Sequence, residues 1–235
     1  MEQRLQVWPM KQFRLVAWSL AWAWTYPSFA RAVQDTLAAP CSDPVVYQGV
    51  SYGLVPLGTQ CWFAHNLEVE TYRNGDPIPL ARTRLEWSHA TVGVCSPPPW
   101  QELPFSGRLY SFAAVCDARG LCPSGFHVPT LQEWRSAIDA LGGPSAAGAA
   151  LKSPPHLFGG WNGNGESDFR ALPVGMRSFS GKFFYGGVYA AWWTSTPHAA
   201  EGGWFVDVID GDSTCYVHGG NVLGSGFSVR CVADR

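Results

Sequence analysis

Charge is what this sequence most lacks: Asp, Glu, Lys and Arg make up 14% of its 235 residues, against roughly a quarter in an ordinary soluble domain. Its 16 Lys and Arg against 18 Asp and Glu leave a net charge of −2. That balance offers no electrostatic footprint for nucleic acid and no polybasic patch for anionic lipid. Catalytic signatures are missing too, with no G-x-S-x-G elbow, G-x-G-x-x-G fingerprint or P-loop. None of the seven cysteines falls in a C-x-x-C pair and no His stands at zinc-finger spacing, so a motif-type zinc site is excluded. The apolar run Leu15–Trp24, broken only by Ser19, is about half the length a membrane span needs. What is present instead is 46% hydrophobic residues with 26 Gly and 18 Pro. That is enough for a core, in a loop-rich fold whose surface is built from small polar residues and backbone.

The N-terminus reads as an export signal. Arg4, Lys11 and Arg14 precede the apolar run, and Ala30-Arg31-Ala32 supplies a small-x-small cleavage site, the order of a cleavable secretory leader. We therefore expect a signal peptide over 1–32, a linker over 33–44 and one domain over 45–235, secreted or displayed at the cell surface. Leu37-Ala38-Ala39-Pro40-Cys41 superficially resembles a lipobox, but Pro40 occupies a small-residue position and the site lies far beyond the apolar run. Export makes disulfides the default for Cys41, Cys61, Cys95, Cys116, Cys122, Cys215 and Cys231. The odd count leaves at least one thiol outside an intramolecular pair, and spacing alone does not fix the connectivity.

Periodicity predicts an α+β fold of mixed antiparallel strands around one clear helix. Val45–Tyr47, Val50–Leu57 and Gln60–Ala64 read as strands punctuated by Gly49 and Gly58. Residues 71–107 read mostly as loop. Thr130 and Glu133 form a capping box, and Leu131, Trp134, Ile138 and Leu141 share one face, giving a helix over about 130–141 stopped by Gly142-Gly143. A weaker helix runs from Ser145 to about Lys152. Strands return at Ala191–Ser195, at Trp204–Ile209 with Asp207 facing away from Val206 and Val208, and at Phe227–Val232. Early and late strands around central helices suggest that the two ends meet in one sheet.

Tyr72-Arg73-Asn74-Gly75-Asp76-Pro77-Ile78-Pro79, Gly107-Arg108-Leu109-Tyr110, the Asp117–Gly125 segment, His127-Val128-Pro129-Thr130 and Ser228-Val229-Arg230-Cys231-Val232 run in one collinear order. Together with Gln60–Ala64 and Trp192–Ser195, they resemble the Fibrobacter succinogenes major paralogous domain over about Val45 to Asp234. The resemblance implies an exported bacterial surface protein with no established activity. More distantly, the Pro-Thr-x-x-Glu-Trp helix start is similar to that of C-type-lectin-like domains, including sulfatase-modifying enzymes. That likeness implies a looped C-type-lectin-like domain with adjacent termini and a Cys122–Cys231 disulfide. The chain departs from the family pattern at Asp168–Gly175 and at His65, which stands where Glu is usual.

Several groups are candidate sites. Asn162, Asn164, Glu166 and Asp168 alternate in a Gly-rich loop and carry the oxygen ligands calcium takes, although a solvated polar loop accounts for them too. Asp207, Asp210 and Asp212 form a second acidic group that a turn at Gly211 explains more cheaply. His127 precedes Pro129 at the helix entrance, and a hydrogen-bonded structural role outweighs a general-base one. Trp192 and Trp193 point to opposite faces of a strand, so one is expected in the core while the other could offer a ring for sugar stacking. The reading is a secreted or cell-surface, non-catalytic binding or structural module with an extracellular glycan or protein partner, without nucleic acid or a membrane span. No cofactor is expected, with calcium at the 162–168 loop the one candidate. The alternatives are an extracellular enzyme acting on polysaccharide, whose carboxylates would leave no local motif, and an architectural surface protein with no discrete ligand.

Overall fold

Glycine turns cut this chain into short strands. The computed structural model describes residues 41–99, 104–155, 161–198, 202–220 and 224–235. The expected signal segment 1–32 and most of the linker lie outside them. Strands β1 (Val45–Tyr47) and β2 (Val50–Tyr52) close a hairpin through Gln48 and Gly49, at φ 49° and 81°. Two consecutive positive φ values are what a two-residue turn matched to strand twist requires. The chain continues through β3 (Leu54–Leu57), β4 (Gln60–Phe63), α1 (Arg84–Ser88), β5 (Cys95–Ser96), β6 (Leu109–Ser111), α2 (Phe112–Val115) and β7 (Phe126–His127). Helices α3 (Leu131–Ala140) and α4 (Pro144–Leu151) follow. The last part holds β8 (Met176–Arg177), β9 (Phe183–Phe184), β10 (Tyr189–Pro197), β11 (Gly203–Ile209), β12 (Cys215–Gly219), β13 (Gly226–Phe227) and β14 (Val232–Ala233).

Helix α3 starts where the capping box places it: the Thr130 hydroxyl accepts from the Glu133 amide, and the Glu133 carboxylate accepts from the Thr130 amide. Gly142 and Gly143, at φ 91° and 86°, end it, and the Gly143 amide donates to Ile138 O at 3.0 Å. Pro144 then opens α4, where its missing N–H leaves nothing unpaired. Helix α1 carries the same Thr-x-x-Glu box at Thr83 and Glu86, inside the stretch that the sequence suggests is loop.

The described chain is mostly β, in antiparallel sheets with a few short helices. The sheets are β1-β2, β3-β4-β14-β7, β5-β6-β13-β8-β9 and β10-β11-β12. Val232 of β14 pairs with both Trp62 and His127, so the chain's last strand lies beside its early ones. Disulfides Cys41–Cys61 and Cys122–Cys231 are present. The expected strand Phe227–Val232 is instead two pieces, because the chain changes sheets between them. Ser228 bonds to β10 through Ala191 and Trp193, while Val229 and Cys231 accept from Leu67 and Phe63.

Two apolar cores lie on the two faces of β10. One gathers Phe63, Tyr110, Phe112, Trp193, Phe227 and Cys231, the other Trp62, Trp134, Trp161, Phe169, Trp192 and Val206. A buried ring of this size removes roughly 150–250 Å² from water, on the order of 4–6 kcal/mol as an upper estimate. Buried cations brace the loops between sheets. The Arg230 guanidinium donates to Asn66 Oδ1, Phe63 O and Phe169 O and lies 3.9 Å from the Phe169 ring centroid. Arg177 donates to Gly181 O, Ala81 O and Thr83 O between the Trp87 and Phe183 rings. Burial lowers both pKa values. Their carbonyl and amide acceptors satisfy the donors that burial would otherwise strand.

Candidate functional site

One face of the β10-β11-β12 sheet packs into the core with Val206, Val208 and Cys215. The other face meets the first core through Ala191, Trp193 and Phe205, and along the rest of it register sets Tyr189, Asp207, Tyr216 and His218: Asp207 pairs with Tyr216 and Ala191, and His218 with Phe205. Asp207 is only 4% exposed. Its Oδ2 accepts the Tyr189 hydroxyl at 2.6 Å. Among the described residues its Oδ1 has no hydrogen-bond partner, and His218 Nε2 stands 3.5 Å away, too long for a strong bond. Burial pushes the Asp207 carboxyl above the usual range, with Tyr189 and His218 pulling the other way. Burial and the Asp207 charge raise the Tyr189 phenol in turn. The Tyr189 phenol therefore keeps its proton and donates it in a hydrogen bond to Asp207 Oδ2.

His218 is half-exposed and stacks on Phe205, ring centroids 5.2 Å apart, and on Tyr216 at 5.9 Å. The Tyr216 hydroxyl donates to Asp212 Oδ2 at 2.7 Å. At the open end of the face Tyr185 is 61% exposed, with its ring 5.8 Å from those of Tyr189 and Phe184. Phe184, Val188 and Ile209 are exposed around it. Tyr185 sits at φ 60°, a left-handed conformation that costs a bulky residue free energy and persists only where its surroundings impose it. They do so here. The Gly187 amide donates to Pro173 O, the Asp210 amide donates to Val188 O, and a Cβ on Gly175 would lie 2.4 Å from Phe184 O. The result is an exposed aromatic ring against Tyr189, whose hydroxyl leads on to the buried Asp207 and, 3.5 Å beyond, to the half-exposed His218, a composition suited to holding a polar ring-shaped ligand.

The expected stacking residues lie elsewhere. Trp192 and Trp193 are both fully buried, because β10 has a core on each face. Trp192 Nε1 donates to Asn66 Oδ1 at 3.0 Å and Trp193 Nε1 to Tyr110 O at 2.7 Å. Neither offers a ring to a ligand, which corrects the expectation for this pair.

In the 162–168 loop three of the four candidate side chains have oxygens engaged, while the exposed Glu166 carboxylate makes no hydrogen bond among the described residues. Asn162 Oδ1 accepts from the Lys152 ammonium and from the Gly211 amide, Asn164 Oδ1 accepts from the Glu166 amide, and Asp168 pairs with Arg170. Among the described residues no group of three or more His, Cys, Asp or Glu is placed to hold a metal. A lysine ammonium against Asn162 also opposes a second cation there. Lys152, buried, donates further to Ile209 O and Asp212 O, so it fastens this loop to the β11–β12 turn. Asp212 is taken up by that turn through the Thr214 amide.

His127 is braced on both sides, Nδ1 at 2.5 Å from Asp234 Oδ1 and Nε2 at 3.0 Å from both Glu133 oxygens. Burial disfavours its charge, but the hydrogen bonds and charges of Asp234 and Glu133 outweigh that and raise its pKa. Glu133 is held below the usual range: burial opposes this, while the Thr130 amide and His127 prevail. This is a latch between the end of the chain and the start of α3.

A family model for the Fibrobacter succinogenes major domain matches residues 55–233. The chain belongs to that family. No curated protein and no solved structure matches it. In this family member the open aromatic face is built from residues that sequence reasoning did not single out: Tyr185, Tyr189, Tyr216 and His218. Two signals were present, an aromatic run before Gly186-Gly187 and an aspartate alternating with valines in β11. Neither reveals the cross-strand register that brings them together.

Proposed function

We propose that the protein is a secreted or cell-surface binding module, non-catalytic and C-type-lectin-like in architecture, whose ligand is an extracellular glycan. The observation that carries this reading is the exposed Tyr185 ring, held at positive φ with its ring 5.8 Å from that of Tyr189, whose hydroxyl donates to Asp207. A sugar would lay its C–H face on Tyr185, and its hydroxyls would meet the His218 imidazole and the Tyr216 hydroxyl. Export rests on the N-terminal leader pattern. No helix of the described residues is long and apolar enough to cross a membrane.

An extracellular enzyme acting on polysaccharide is the second reading, and one observation favours it. A buried carboxylate behind a half-exposed imidazole is how a general base is oriented. A glycan array with the purified protein and its Tyr185→Ala variant tests the first reading. Saturable binding that the variant loses by tenfold or more supports it, and equal binding by both proteins removes Tyr185 from the site. Reducing-end release from the bound polysaccharide would move the assignment to the enzyme.

A further inference from the structure

A second site lies in a cleft of about 250 Å³ lined by Glu68, Glu70, Arg82, Arg108, Leu80 and Ser106. Its walls are rigid. Gly107, at φ 69°, lets the chain pass so close that a Cβ would lie 2.5 Å from Asn66 Cβ. The Arg108 amide donates to Leu67 O, and Asn66 Nδ2 to Ser106 O. On the opposite side, the buried Arg177 clamps the carbonyls flanking Arg82, those of Ala81 and Thr83.

The side chains within these walls are incompletely paired. Arg108 is 85% buried, and among the described residues it bonds Glu70 through Nη2 alone while its buried Nε has no hydrogen-bond partner. The Nε–Nη2 edge of a guanidinium is the edge that takes a carboxylate bidentately. A buried unsatisfied donor marks a place where a partner belongs. Glu70, about half exposed, uses half of that edge and is free to leave it. The Glu68 carboxylate and the Arg82 guanidinium are both exposed, and neither has a side-chain partner among the described residues. The cleft thus presents a carboxylate receptor beside carboxylates suited to a cation.

The geometry points to a small zwitterion of the α-amino-acid class as the ligand of this cleft. Its carboxylate takes the Nε–Nη2 edge of Arg108 with Arg82 alongside, and its ammonium takes Glu68 and the released Glu70. Binding here is independent of the Tyr185 face.

The test is calorimetric titration of the purified protein with a panel of free amino acids, with acetate and propionate as carboxylate-only probes and ethanolamine as the ammonium-only probe. At least one amino acid should bind saturably and at least tenfold more tightly than any one-charge probe. Arg108→Lys, which keeps the charge and loses the fork, should weaken it about tenfold or more, as should Glu68→Gln. Arg82→Gln is the exposed substitution that keeps the test valid if Arg108→Lys melts early, and it should weaken binding measurably. No amino acid binding, propionate binding as well as the best amino acid, or variants that bind like the parent would each overturn the proposal. Loss of glycan binding in Tyr185→Ala leaves these results unchanged.

Discussion

Replacing His127 by Gln keeps a hydrogen-bonding side chain between Asp234 and Glu133 but removes the charge, so the variant isolates the electrostatic part of the latch. The sign follows from the pKa directions. His127 is raised in the folded state, so its contribution is complete below its unfolded value near pH 6.5 and is lost as pH rises through the folded value. Glu133 is lowered, so its contribution is complete above about pH 4.3 and is lost as pH falls through its own folded value. The latch is therefore strongest between those limits. The His127 side chain is 35% exposed and that of Asp234 55%, so solvent screens both pairs. At about 0.2–1 kcal/mol for each such pair, the charge contributes about 1 kcal/mol in all. For a domain of this size that corresponds to about 2–4 °C in Tm. Melting curves of parent and His127→Gln near pH 6 and near pH 8.5 should show a gap of that size at the lower pH that shrinks at the higher one. A gap independent of pH, or one that widens as pH rises, would refute the electrostatic account of the latch.

The other predictions concern bonds that hold loops to sheets. Reducing Cys122–Cys231, or replacing both cysteines by Ser, frees a sequence separation of 109 residues and should cost about 3–5 kcal/mol. Peptide mapping without reductant should recover the linked pair. Lys152→Met leaves Asn162 Oδ1, Ile209 O and Asp212 O without their shared donor and should cost about 2–4 kcal/mol in denaturant melts. Asn162→Leu, which removes one acceptor, should cost less. Of the free thiols, Cys116 is exposed while Cys95 and Cys215 are buried, and burial pushes the Cys95 thiol up to about 12. Native alkylation should mark Cys116 alone, with the other two reacting only on unfolding.

Local signals carried the parts of this fold that depend on neighbours in sequence. Thr130, Glu133 and the Gly142-Gly143 stop locate α3 because a cap and its partner lie three residues apart. The β11 alternation of Val206, Asp207 and Val208 is legible for the same reason. What the sequence hides is contact across the chain. Arg230 looks like an outward residue between Val229 and Cys231, yet its acceptors come from Phe63, Asn66 and Phe169. Trp192 and Trp193 point to opposite faces of β10, and both faces are covered by cores that the chain builds from distant segments. The candidate site has the same origin, since Tyr189 reaches Asp207, and Asp207 approaches His218, through register that no single segment encodes.

The most direct test of the central claim is titration of the purified protein with array-selected glycans, comparing the parent with Tyr185→Ala and with Tyr185→Phe. The account predicts saturable binding that Ala abolishes and Phe largely restores, because the ring face and not the hydroxyl supports the sugar. Binding that survives Tyr185→Ala, or that Phe fails to restore in a protein with an unchanged melt, would contradict it.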